Sequence, residues 1–163
     1  MTRDKVGWVA FNAMLVVFGA CIAGMPYNEA QKLDAGRPLW FHVPGTSAMW
    51  ELAHMEGLVN AIFALAVAAV ASQLKMSPLT GRVLMWALIA DAWGNFLGAV
   101  VGALDNVAVM DMNFTNGTVA FLLFDVAAVG AVVAIFVVAR AGFINGRSRE
   151  DSRSSEFSSV GAS

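Results

Sequence analysis

Four long apolar runs, separated by short polar connections, dominate the pattern of hydrophobic and polar positions along this chain. Each reaches the roughly 20 residues that a helix rising about 1.5 Å per residue needs to cross about 30 Å of hydrocarbon. The runs predict spanning helices at about 7–25, 48–73, 79–104 and 117–140. Arg3 and Lys5 precede the first, and Pro26 is expected to close it. With no small-residue cleavage site before Pro26, that run reads as a retained helix and not as a secretory signal.

The segment from Tyr27 to about Ser47 contains the Pro44-Gly45 turn pair and reads as an external loop lying against the bundle. Thr46 or Ser47 is the expected N-cap of the second helix. Pro78 and Gly81 mark a tight connection between the second and third, and an acidic loop holding Asp105 and Asp111 separates the third from the fourth. From about Gly142 the chain is polar and Ser-rich, too poor in apolar residues to fold. The expected architecture is an all-α integral membrane protein: a four-transmembrane-helix bundle over residues 1–142, followed by a disordered polar tail at 143–163.

Composition agrees. Hydrophobic residues make up 58% of the 163 and charged residues 13%, against about 45–50% and about 25% in soluble domains. Charge then sets the orientation. Arg3, Lys5, Lys75, Arg82, Arg140, Arg147, Arg149 and Arg153 fall at one end, and only Lys32 and Arg37 at the other. The positive-inside rule predicts cytoplasmic termini and residence in a bacterial inner membrane. A net charge of −2 without a basic stripe excludes a nucleic-acid partner. Cys21 is the single cysteine, so no disulfide can form within the chain, and its place in an apolar run predicts a small core filler.

Polar groups inside a span are expensive, which makes Asn12, His54, Glu56, Asn60, Asp91, Asn95 and Asp125 the candidates for chemistry. Most lie on the second and third helices, and Asp91 and Asn95 share a face one turn apart, so a pocket between those two helices is expected. For Asn12 and Asp125, alone on their helices, the plainer role is hydrogen-bonding glue between helices. Gly94, Gly98 and Gly102 repeat at the spacing that lets a neighbouring backbone approach closely. The methionines read as soft fillers. The sequons at Asn113 and Asn116 are short enough to arise by chance, and no function is assigned to them.

The run Phe41-His42-Val43-Pro44-Gly45, then Trp50, Ala53-His54, Gly57 and Asn60, followed by Asp91-Ala92-Trp93-Gly94-Asn95, resembles the styrene oxide isomerase family. The likeness covers the four-span plan and is detailed over about residues 41–99. It implies a homotrimer with haem b near the subunit boundaries, converting aryl epoxides to aldehydes without net oxidation. His54 is then the axial iron ligand, with Asp91 and Trp93 on the cofactor-binding side and Asn60 and Asn95 as catalytic residues at the open face of the iron. His42 becomes a structural or propionate-side residue.

A ferric iron held by one histidine is a Lewis acid with a free position, suited to polarising an epoxide carbon–oxygen bond. Asn60 and Asn95 are expected to orient the epoxide oxygen by hydrogen bonds, and Trp93 to support positive charge through its ring face. One position departs from the family: its tyrosine one turn after the second asparagine is Ala99 here. Two rival readings stand beside this one. In the first, His42 and His54 both ligate haem for electron transfer or sensing; in the second, the chain is a cofactor-free membrane bundle that binds partners.

Overall fold

A computed structural model describes residues 1–105 and 116–160. It contains four helices: α1 (Arg3–Asp34), α2 (Ser47–Ser72), α3 (Pro78–Asp105) and α4 (Asn116–Val160). All four carry stretches long and apolar enough to cross a membrane. The expected acidic loop at Asp111 and the sequon at Asn113 lie outside the described residues.

The first helix does not stop at Pro26; it continues to Asp34. A proline inside a helix removes one N–H, and in a membrane bundle neighbouring groups readily absorb that loss. The true stop is Gly36, at φ 63°. Its N–H bonds Leu33 O at 3.0 Å while that of Arg37 reaches back to Lys32 O at 2.8 Å. That pair of bonds satisfies the last carbonyls of the helix, and Pro38 follows to prevent its resumption. At about 48 Å the helix is longer than the hydrocarbon core is thick, and the segment after Pro26 is helical where a loop was expected. Buried Glu29 organises it, pairing with Lys32 and accepting the N–H of Trp40 at 2.8 Å.

Thr46 is the N-cap of α2, its hydroxyl accepting from Met49 N. Ser77 caps α3 in the same way through Thr80 N, with Pro78 at the first helical position, where a missing N–H costs nothing. The fourth helix runs to Val160, past Gly142, where polar composition leads one to expect unstructured chain. No proline interrupts it, and extending an existing helix is far easier than starting one.

The core is built from small residues. Ala53, Gly57, Ala61, Ala64, Ala68 and Ala71 form the buried stripe of α2, while large apolar side chains such as Phe18, Ile62, Val132 and Phe136 face outward. This reverses the soluble pattern for a physical reason: lipid is as apolar as leucine, so helices associate by close packing of small residues. The glycines foreseen on α3 do this against α4. A Cβ on Gly94 would lie 2.6 Å from Leu123 O, and one on Gly98 would lie 3.0 Å from the Phe124 ring. Cys21, expected in the core, is exposed.

Two contacts gather one end of the bundle. The Met1 amino group donates to Ala71 O at 2.7 Å, and Asn145 of α4 bonds both the N–H and the C=O of Lys75. The start of α1, the α2–α3 connection and the end of the apolar part of α4 therefore lie together.

Candidate functional site

His54 stands on the face of α2 that meets α1, one turn before Gly57. Its Nδ1 lies 2.8 Å from Ala20 O. Gly24 makes this approach possible, because a Cβ there would sit 3.2 Å from that nitrogen. On the other side the ring of Tyr27 stacks on the imidazole, with centroids 6.5 Å apart and planes 20° from parallel. A carbonyl oxygen can only accept, so Nδ1 carries the proton. Nε2 has no hydrogen-bond partner among the described residues. Carbonyl support of one ring nitrogen is the usual way a protein readies the other for a metal. Among the described residues no three His, Cys, Asp or Glu side chains converge as a multidentate metal site.

Asn60 and Asn95 repeat a single local device. The Asn60 amide nitrogen donates to Glu56 O at 2.9 Å and to Glu56 Oε2 at 2.7 Å. That of Asn95 donates to Asp91 O at 3.1 Å and to Asp91 Oδ1 at 3.0 Å. Both amide hydrogens are consumed in each case. Among the described residues the carbonyl oxygen of each asparagine, an acceptor, has no hydrogen-bond partner. The expected donation to an epoxide oxygen therefore requires release of a carboxylate bond, and the resting arrangement offers negative dipole ends instead.

Asp91 is only 1% exposed. Its Oδ2 has no hydrogen-bond partner among the described residues, and Gly130 of α4 packs against its backbone. No hydrogen bond among the described residues joins Glu56 to Asp91, or either carboxylate–amide pair to His54. The histidine belongs to the α1·α2 seam.

Trp93 donates its indole N–H to Asn12 Oδ1 at 3.1 Å and meets Phe96 edge to face, with centroids 6.3 Å apart. Asn12 is the interhelical glue it was expected to be. Asp125 is exposed on α4 and makes no hydrogen bond among the described residues. Phe96 fills a slot made by two glycines, since a Cβ on Gly19 or Gly57 would strike its ring. The conspicuous loop motif has a structural role. Val43 is buried, Trp50 donates to Pro44 O at 2.7 Å, and Gly45 adopts φ 77° with its Cα against the Ala103 carbonyl. His42 is exposed on that loop.

Sequence reasoning missed Ala20, Gly24 and Tyr27 as partners of His54. A helix expected to end at Pro26 places Tyr27 in a loop, and a backbone carbonyl carries no residue-type signal. Ala99, standing where the family has its tyrosine, is 2% exposed and enclosed within the single chain.

Comparison with curated proteins gives no match at a significant level. The family model described as styrene oxide isomerase matches residues 6–143, which include all four spans and every residue of the site. The chain belongs to the styrene oxide isomerase family.

Proposed function

We propose that the protein is a haem-b-dependent isomerase that rearranges a hydrophobic aryl epoxide to an aldehyde within a bacterial cytoplasmic membrane. Family membership supports the isomerase class. The observation that carries the cofactor is the bond between His54 Nδ1 and Ala20 O, which leaves Nε2 as the ring nitrogen with no partner among the described residues. His54 would hold the iron, with Trp93 and Asp91 bordering the group. When bound, ferric haem supplies a Lewis acid with one open position, which activates an epoxide oxygen without net oxidation.

The chain's own groups complete the chemistry. Opening the epoxide breaks one carbon–oxygen bond and leaves positive charge on the benzylic carbon; a hydride then shifts from the neighbouring carbon, and the aldehyde results with no atom gained or lost. Asn60 and Asn95, held in place by Glu56 and Asp91, face such charge with carbonyl oxygens, and the Trp93 ring face adds to the stabilisation. Apolar surroundings exclude the water that would give a diol. Asp125, an exposed carboxylate within an apolar span, is a poor neighbour for lipid. A second copy of the chain would cover it, as in a homotrimer with the basic end of the bundle facing the cytoplasm.

The test is an absorption spectrum of the full chain, purified in mild detergent after haem-replete expression, with and without styrene oxide. We expect a Soret band that epoxide perturbs, together with aldehyde formation. His54→Ala should lose the band while far-ultraviolet circular dichroism stays helical, and Asn60→Ala should retain it but turn over more slowly. A colourless, folded protein would end the proposal, as would a His54→Ala variant with an unchanged spectrum.

A further inference from the structure

About 30 Å along α2 from His54, at the end where the α2–α3 connection meets α4, the bundle has a half-open cleft of about 510 Å³. Lys75 and Arg140 stand on its rim, and Val83, Phe136 and Ile144 form its walls together with the first turn of α3. Neither cation has a carboxylate partner; the one ion pair among the described residues is Lys32–Glu29, on α1. The rim is fixed in place, because Asn145 of α4 bonds Lys75 N at 3.0 Å, Lys75 O at 3.1 Å and Ala141 O at 2.8 Å. The positive end of the α3 dipole adds to the field at the mouth.

A small anion would use the rim and leave the apolar walls empty. An apolar molecule would use the walls and leave two cations unpaired. Only an amphiphile with an anionic head satisfies both halves, and the cleft opens where apolar spans give way to charge, the level at which headgroups lie. We infer that this cleft holds an anionic phospholipid, its phosphate against Lys75 and Arg140 and an acyl chain along Val83, Phe136 and Ile144. The lipid joins α3, α4 and the α2–α3 connection from outside.

The full chain, purified and delipidated in mild detergent, tests this by native mass spectrometry with phosphatidylglycerol and phosphatidylcholine supplied at equal concentration. Phosphatidylglycerol should be retained preferentially. Lys75→Gln or Arg140→Gln should lower its retention about fivefold each, and the pair about thirtyfold. Val83→Phe, which fills the cleft without changing charge, should lower retention too. Arg147→Gln, a cation off the cleft, should not change it. Equal retention of phosphatidylcholine, or an equal loss with Arg147→Gln, would overturn the site in favour of general surface attraction. Displacement of the lipid by glycerol phosphate would overturn the acyl-chain half and leave a small-anion site.

Discussion

The seam between α1 and α2 and the seam between α3 and α4 use the same small residues to different ends. In the first, Gly19, Gly24 and Gly57 clear space for rings: Phe96 enters one slot and the His54 imidazole the other. In the second, Gly94 and Gly130 bring backbones together, their Cα atoms lying against Leu123 O and Ala87 O. A glycine that faces a ring makes room for that side chain, as Gly98 also does for Phe124 in the second seam, whereas one that faces a carbonyl sets the distance between two helices. The first seam is therefore where chemistry is to be sought, and the second is where the bundle is held.

The largest effect is expected at the second seam. Gly130→Val would drive a side chain into Ala87 O and Asp91 N, neither of which can rotate away. We expect about 3 kcal/mol of lost stability, read by thermal unfolding in detergent, and a variant as stable as the parent would show that the seam is looser than drawn. Ala99→Tyr probes the neighbouring position, enclosed within the chain. Overpacking there should cost about 2 kcal/mol, and a gain in stability together with faster epoxide turnover would mean that the family's phenol fits after all.

The first seam should respond in cofactor and not in fold. Gly24→Ala presses on His54 Nδ1, so haem affinity in a titration of apoprotein should fall about tenfold, the effect of disturbing a metal ligand's supporting bond. The melting temperature should hardly move, and a large drop would erase the distinction between the seams. Smallest is Asn12→Ala, which removes the acceptor of the Trp93 indole. About 0.6 kcal/mol should be lost, as for hydrogen bonds between membrane helices, along with a shift in tryptophan fluorescence; no change in either would show that the indole finds another partner.

The carboxylate–amide pairs on α2 and α3 show how far local pattern reaches. Glu56–Asn60 and Asp91–Asn95 share their spacing and their hydrogen bonds, and both are legible at four residues' separation on a helix. Their difference is not. Only packing against α4 buries Asp91 and leaves its Oδ2 without a partner.

Sequence alone determined the four spans, the identity of the one histidine within them, the small-residue face of α3 and the family. Hydropathy over 20 residues, the expense of a polar group in lipid and a fixed helical period are properties of a segment and its solvent, and they need no knowledge of neighbours. Tertiary structure alone decided that α1 runs through Pro26 to bring Tyr27 beside His54, that the imidazole leans on Ala20 O, and that both asparagine amides spend their N–H groups on the residue one turn back. Each of these depends on what a backbone carbonyl or a carboxylate meets in the folded chain. Such groups carry the same letter code wherever they point, so only the packed bundle gives them a role.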